Sequence, residues 1–113
     1  MHEISLCESV VELIEEQAHL QGFCQVRSVR LEIGRLAGVE VEAMRFGFDA
    51  VAKGSVADGA RLEIVEIPGT ARCPHCRQDV EVELRFDPCP RCGHGPLELT
   101  GGDRMRVLEL EVE

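Results

Sequence analysis

Two short cysteine motifs, Cys73-Pro74-His75-Cys76 and Cys89-Pro90-Arg91-Cys92, decide how the chain folds around them. Each Cys-x-x-Cys turn directs two sulfur atoms toward one point, and twelve residues separate the two turns. Two such turns close a tetrahedron of four thiolates, which is the ligand set and geometry of structural zinc sites. We therefore expect a closed, structural Zn²⁺ site with four ligands: Cys73, Cys76, Cys89 and Cys92.

The residues between the motifs predict a small ribbon. Segment 80–86 alternates apolar and polar side chains, which indicates a short strand that links the two turns. Gly93 follows the second motif and lets the chain leave the turn with a positive φ. We expect a zinc-ribbon module over residues 70–101.

Two other chemistries fit the same four cysteines. The turn Cys-Pro-Arg-Cys-Gly is also the kind that rubredoxins use, and tetrahedral sulfur sites accept either zinc or iron. A redox-active dithiol fits less well, because one Cys-x-x-Cys motif would suffice and no βαβ unit surrounds the motifs. The residues alone leave the choice between zinc and iron open.

Composition excludes several classes of protein. The chain has 113 residues and a formal net charge of −9, which fits one modest domain or a small domain with a metal module. Zinc ribbons that bind nucleic acid need basic patches, so we expect no nucleic-acid partner. No apolar run approaches membrane-spanning length and no signal peptide precedes the first charged residues, so we expect no membrane partner. A cytoplasmic, reducing location follows, in which cysteines bind metal rather than form disulfides.

The rest of the chain predicts an α+β arrangement. Apolar side chains recur at helical spacing in two segments, and alternate with polar side chains in three others. The expected helices are 4–21 and 41–53, and the expected strands are 29–33, 61–67 and 104–112.

The order of these elements predicts the architecture. We expect a small three-stranded sheet with two helices on one face, plus an inserted zinc-ribbon module with four cysteine ligands between the second and third strands. One domain would then consist of residues 1–69 together with 102–113. The other domain would be the insertion, 70–101.

The segment Met1-His2-Glu3 is a second candidate metal site. The α-amine of Met1, the backbone nitrogen of His2 and the His2 ring nitrogen can close adjacent chelate rings around one ion. Nitrogen donors held nearly in a plane suit square-planar nickel(II) or copper(II) rather than zinc. Glu3 adds another backbone nitrogen and a carboxylate. On spacing alone, a solvated histidine at a frayed terminus is the simpler interpretation.

Four features together resemble the HypA/HybF family of accessory proteins for [NiFe] hydrogenases. They are Met1-His2-Glu3, the helix after it, the strand–helix pattern over 31–53 and the inserted Cys-Pro-x-Cys pairs. The resemblance covers essentially the whole chain. It implies a nickel metallochaperone with a weak nickel site at Met1, His2 and Glu3 and a structural zinc site at the four cysteines. Residues 1–69 with 102–113 would be the nickel-binding domain, and 70–101 the zinc-binding domain.

The resemblance also implies partners. They are a HypB-type GTPase and the large-subunit precursor of a [NiFe] hydrogenase, to which nickel would be transferred. The family resemblance allows urease maturation proteins as well. The main alternative function is a zinc-ribbon adaptor that binds proteins and transfers no nickel, and an iron-bearing electron carrier is a third. We do not expect an enzyme, because the chain has no Ser-His-Asp set, phosphate-binding glycine loop or His-Glu-x-x-His motif.

Five further residues carry expectations of their own. His94 could hydrogen-bond or replace a thiolate, although a solvated turn residue is the simpler interpretation for it and for His75. Glu40, at the start of the second helix, could approach the amino terminus and assist nickel binding or a partner. We expect Cys7 and Cys24 to be small, buried apolar residues.

Overall fold

The computed structural model describes residues 2–113, which form two α-helices, a short 3₁₀ helix and six strands. This is the expected α+β class, with the helices and the first sheet built from the predicted segments. In chain order the elements are α1 (His2–Gln21), β1 (Val26–Gly34), a 3₁₀ turn (Arg35–Ala37), α2 (Val41–Ala52), β2 (Arg61–Ile67), β3 (Gly69–Arg72), β4 (Asp79–Val82), β5 (Glu98–Gly101) and β6 (Met105–Val112).

The strands form two three-stranded sheets. The first has the order β2-β1-β6, and the second has the order β4-β3-β5. In the second sheet β3 pairs antiparallel with both of its neighbours. All three strands of this second sheet lie between β2 and β6 in the sequence, so the ribbon is the insertion that the cysteine motifs predicted.

Helix α1 begins two residues earlier than expected, at His2. Most of its apolar stripe is buried. The negative charge of Glu3 in the first turn is favourable at the amino terminus of a helix. Gly22 ends the helix with a φ of 78°, and its N–H donates to the carbonyl of Ala18 at 2.8 Å. The buried residues of α1 are Cys7, Val10, Val11, Ile14 and Ala18.

Helix α2 packs closely against α1 at a glycine. A Cβ atom on Gly47 would lie 2.8 Å from Cδ1 of Ile4 and 3.4 Å from Sγ of Cys7. A larger residue at this position would require the Ile4 side chain to move. Neither α1 nor α2 combines the length and the apolar character needed to cross a membrane.

The strand predicted at 80–86 is shorter in the structure. Strand β4 ends at Val82, and the chain then turns over 83–87. The carboxylate of Asp87 accepts hydrogen bonds from the N–H groups of Glu83 and Leu84 at 3.3 and 3.0 Å. These bonds hold a tight turn where the alternating pattern alone predicted extended backbone.

The described residues divide into two compact units. The first contains the chain up to Leu31, then Val39–Ile64 and Val107–Glu113, and the second contains Glu32–Gly38 and Val65–Arg106. Whether these regions are a nickel-binding and a zinc-binding domain, divided at 1–69 with 102–113 and at 70–101, stays a prediction.

The segment Glu32–Gly38 supplies part of the core of the second unit. Leu36 is buried there and lies in one cluster with five other buried residues. Backbone hydrogen bonds fix the segment, because the N–H of Gly34 donates to Arg104 and the N–H of Leu36 donates to Gly102. The other buried members of the cluster are Ala71, Cys73, Val80, Val82 and Cys89.

Candidate metal centre

The four cysteines of the two motifs come together in the second unit. Their Sγ atoms all lie within 4.8 Å of one another. Sγ of Cys73 lies 3.5 Å from that of Cys92, and Sγ of Cys76 lies 3.8 Å from that of Cys89. A tetrahedral zinc ion with bonds of about 2.3 Å separates its sulfur ligands by about 3.8 Å. The four thiols therefore fit a tetrahedral metal ion, and all six cysteines are free of disulfides.

The two motifs adopt the same turn. The N–H of Arg77 donates to the carbonyl of Cys73, and the N–H of Gly93 donates to the carbonyl of Cys89, both at 2.8 Å. Arg77 and Gly93 both have positive φ, 60° and 77°. The expected positive φ at Gly93 is confirmed, and the equivalent position in the first motif carries an arginine.

Backbone N–H groups point at the sulfur atoms. The N–H of Cys76 lies 3.4 Å from Sγ of Cys73, and the N–H of Arg91 lies 3.4 Å from Sγ of Cys89. The amide groups of Gln78 and His94 likewise favour the charged forms of Cys76 and Cys92. Such donors stabilise thiolates, the form that binds metal.

The thiols differ in acidity. The N–H of Cys76 lowers the pKa of Cys73. Burial acts to raise the pKa of Cys89, but amide donors in its own turn outweigh burial and lower that pKa to about 6. The amide of His94 lowers the pKa of Cys92, but burial and the neighbouring thiols outweigh it and raise that pKa to about 12. Burial also raises the pKa of Cys76. Metal binding therefore has to release protons from this cluster.

The two histidines next to the cluster stack on each other. The ring centroids of His75 and His94 are 3.7 Å apart, and the ring planes differ by 17°. His94 acts on Cys92 through its backbone amide, while its ring lies against the ring of His75. The hypothesis that the His94 ring replaces a thiolate stays untested.

The second predicted metal site lies at the start of α1. Met1 is outside the described residues. His2 is the first residue of α1, and its side chain is 59% exposed. Its ring atom Nδ1 lies 3.5 Å from Oε2 of Glu3. The structure thus places the ring nitrogen and the carboxylate of the two described residues side by side.

Glu3 is held in place by the start of α2. The backbone N–H of Glu40 donates to Oε2 of Glu3 at 3.1 Å, across 37 positions of sequence. This hydrogen bond is the main cause that lowers the pKa of Glu3 from its ordinary 4.5 to about 2. The carboxylate of Glu40 is engaged separately, since it caps α2 by accepting the N–H of Glu42. The expected approach of Glu40 to the amino terminus is therefore made by its backbone.

The predictions for the two remaining cysteines have opposite outcomes. Cys7 is fully buried, and its Sγ lies 3.5 Å from the carbonyl oxygen of Met44. Burial raises the pKa of Cys7, as expected for an apolar role. The prediction for Cys24 was wrong, because Cys24 is exposed. It lies in the connection between α1 and β1, outside the apolar face of either element.

Sequence reasoning missed three features near these sites. The sequence suggested that Glu40 could approach the amino terminus, but not that its N–H donates to Glu3, and it gave no sign of the stacking of His75 on His94 or of the place of Leu36 beside the cysteines. All three depend on contacts between distant parts of the chain. A local hydrophobic pattern carries no information about such contacts.

Known proteins resemble this chain along its full length. A protein-family model described as "Hydrogenase/urease nickel incorporation, metallochaperone, hypA" matches residues 1–112. The chain is 55% identical to the hydrogenase maturation factor HypA of Alkalilimnicola ehrlichii and 56% identical to that of Azotobacter vinelandii, and both alignments cover all of both chains.

Solved structures agree with the sequence comparison. The solution structure of the Ni metallochaperone HypA from Helicobacter pylori superposes with a TM-score of 0.72 and 26% identity, over 97% of this chain and 96% of that one. A second solution structure of a HypA protein gives a TM-score of 0.73 and 27% identity, over 100% and 97% of the two chains. The family consists of metallochaperones rather than enzymes, as the sequence indicated. The chain belongs to the HypA family of nickel-incorporation metallochaperones.

Proposed function

We propose that this protein binds Ni²⁺ at its amino terminus through Met1, His2 and Glu3 and delivers it to the large-subunit precursor of a [NiFe] hydrogenase. A GTPase of the HypB type assists the transfer. Urease maturation proteins are further partners, because the family description names both enzymes. The protein works in the cytoplasm. The protein acts by exchanging the ligands of the nickel ion, and no covalent bond of a substrate is made or broken.

The observation that carries the proposal is the grouping of donor atoms at the exposed start of α1. Nδ1 of His2 and the carboxylate of Glu3 are 3.5 Å apart. The N–H of His2 belongs to the first turn of a helix, where N–H groups have no acceptor within the helix. Its nitrogen can therefore exchange a proton for a metal ion without breaking a helical hydrogen bond, and binding should weaken in acid.

Glu3 supports nickel binding through its charge. Because the amide of Glu40 keeps its pKa near 2, Glu3 is a carboxylate at every pH at which the protein works. A negative charge beside the chelate offsets the unfavourable effect of a helix amino terminus on a cation. The exposed edge of the site leaves room for the ligands of an acceptor protein.

We propose Zn²⁺ in a structural role at Cys73, Cys76, Cys89 and Cys92. Four sulfur ligands from the protein leave no position open for a substrate, which is the arrangement of structural zinc. Residues 70–101 would then be the zinc-binding domain, and 1–69 with 102–113 the nickel-binding domain. Metal analysis of the purified protein distinguishes zinc from iron, and an iron-loaded protein would also be coloured.

Equilibrium dialysis of untagged, zinc-loaded protein against Ni²⁺ tests the proposal. His2→Ala should weaken nickel binding more than about tenfold, because the chelate loses its ring nitrogen. His19→Ala is the matched control, since His19 is an exposed histidine in the last turn of the same helix. Equal binding by all three proteins would place nickel elsewhere, and no binding by the wild type would favour the adaptor function.

A further inference from the structure

An exposed apolar groove lies between α1 and β6 in the first unit. Side chains from both elements line it, among them Leu13, Gln17, Gln21, Leu108, Leu110 and Val112. Leu13 is 42% exposed, Leu108 39% and Val112 41%. The apolar side chains come from the two walls of one groove, so they form a largely apolar surface, with Gln17 and Gln21 on the α1 wall, rather than scattered exposed residues.

Strand β6 forms the edge of its sheet. In the order β2-β1-β6 it pairs with β1 on one side, and no other strand within residues 2–113 pairs with its second side. The strand is eight residues long and contains neither proline nor lysine; its charged residues are Arg106, Glu109 and Glu111. Its free N–H and C=O groups are therefore a template for an added strand.

The exposed face of β6 is acidic. Glu109 lies 3.2 Å from Arg30, Glu111 lies 3.4 Å from the hydroxyl of Ser28, and Glu113 lies 4.0 Å from Arg27. Three carboxylates thus face two guanidinium groups at this end of the edge, while Arg106, near the other end of β6, is paired with Glu32 at 3.0 Å. The whole chain has a formal net charge of −9, which adds to the negative potential.

We propose that this groove and edge bind an extended segment of a partner protein, in which apolar residues alternate with lysine or arginine. The segment adds to the sheet as a fourth strand beside β6. Successive side chains of a strand point to opposite faces. Apolar residues of the segment therefore cover Leu13, Leu108 and Val112, while its basic residues approach Glu109 and Glu111.

A second copy of this chain fits the same edge poorly. In the registers that centre on the segment from Glu109 to Glu111, antiparallel pairing of β6 with another β6 would place glutamates of one copy opposite those of the other. Like charges directly opposite each other destabilise a pair of strands. The charge pattern therefore favours a basic segment over self-association.

Titration of ¹⁵N-labelled, zinc-loaded protein with a peptide of about nine residues tests this proposal. The peptide has blocked ends and alternates valine with lysine. Binding should shift the amide signals of 107–112 and slow their hydrogen exchange, since an added strand bonds the free edge. A peptide that alternates valine with glutamate, and one with the same valines and lysines in two blocks, should bind at least about tenfold more weakly.

Two sets of variants complete the test. Leu13→Ser with Leu108→Ser should weaken binding of the valine–lysine peptide about tenfold, while Leu84→Ser with Phe86→Ser, at the exposed turn over 83–87, should leave it unchanged. Glu109→Lys with Glu111→Lys should reverse the preference toward the valine–glutamate peptide.

Several results would overturn the proposal. They are equal binding of all three peptides, no binding of any, or signal shifts outside 107–112 and the facing side of α1. Dimerisation that is lost in the Leu13→Ser, Leu108→Ser protein would make a second copy the occupant instead. None of these results bears on nickel binding at the amino terminus, which the dialysis experiment tests separately.

Discussion

Among single residues, Glu3 connects the starts of two helices. It belongs to the first turn of α1, and its carboxylate accepts the N–H of Glu40, the residue that caps α2. The same carboxylate lies beside the ring of His2. A residue proposed to bind nickel therefore also stabilises the fold.

Glu3→Gln should lower the thermal unfolding midpoint at neutral pH and make it less dependent on pH. The folded-state pKa of Glu3 is about 2, below its ordinary 4.5, so the charged form stabilises the folded protein above pH 4.5. This contribution is lost as the pH falls from about 4.5 to about 2. Unfolding followed by circular dichroism should show the two proteins converging over that range. A constant difference between them at all pH values would contradict the assignment.

His94→Ala should leave zinc bound. The contact of His94 with Cys92 comes from its backbone amide, which alanine retains, while its ring stacks on His75. Metal analysis after dialysis should give the same zinc content as the wild type, and Cys92→Ala is the control that should lose zinc. Loss of zinc from His94→Ala would show that the ring itself supports the site.

Among the structural elements, the end of β1 and the connection before β6 approach each other closely. Glycines at 34 and 102 make this approach possible. A Cβ atom on Gly34 would lie 2.1 Å from the backbone of Gly102, and one on Gly102 would lie 2.2 Å from the carbonyl oxygen of Pro68. Backbone atoms cannot move aside as a flexible side chain can. The close approach brings Leu36 to the core beside the cysteines.

Gly34→Ala should destabilise the protein by more than about 3 kcal/mol, because the added methyl group overlaps backbone atoms. The φ of −74° at Gly34 suits alanine, so the cost there is steric alone. Gly22→Ala is the opposite control, with a φ of 78° and open space around the site, and it should cost about 1 kcal/mol. Urea unfolding measures both. Similar costs for the two variants would contradict the steric explanation.

The sequence predicted most of the elements and their order. Helical spacing located α1 and α2 to within two residues at each end, because their buried stripes are local patterns. The length of strand β4 was overestimated. The hydrogen bonds to Asp87 hold the turn after the strand, and an alternation of apolar and polar residues does not reveal them. The sequence did not predict that Glu32–Gly38 belongs to the second unit. Backbone contact between Gly34 and Gly102, which are distant in the sequence, places it there.

The two units of the protein differ in what stabilises them. The first has two helices and a set of large buried side chains such as Ile14, Leu31 and Phe48. In the second, two of the six buried residues of the core cluster are cysteines of the metal site. So small an apolar core rarely folds without a metal or a disulfide.

Removal of metal should therefore unfold the second unit and spare the first. After treatment with a strong chelator, amide signals of 65–106 should collapse to the narrow range of unfolded protein, whereas the helical circular dichroism of α1 and α2 should remain. Added Zn²⁺ should restore the signals. Retention of the second unit without metal, or loss of both units together, would contradict this division.

The two candidate metal sites were predicted from the sequence for different reasons, and nickel binding at the amino terminus stays a prediction. The cysteine motifs are local and specific, and the structure brings all four sulfurs together. The amino-terminal site depended on family resemblance, because a histidine near a terminus is usually solvated. The hydrogen bond from the N–H of Glu40 to Glu3 is visible only in the structure, because the two residues are 37 positions apart in the sequence.

The visible absorption spectrum during a Ni²⁺ titration shows whether the amino terminus holds the nickel ion. The sample is untagged, zinc-loaded protein, beside the same protein with an acetylated α-amine. We expect the free-amine protein to show the yellow d–d absorption of square-planar nickel and to release protons, and we expect acetylation to abolish this absorption. The same spectrum in both proteins would contradict the claim and move nickel to other ligands.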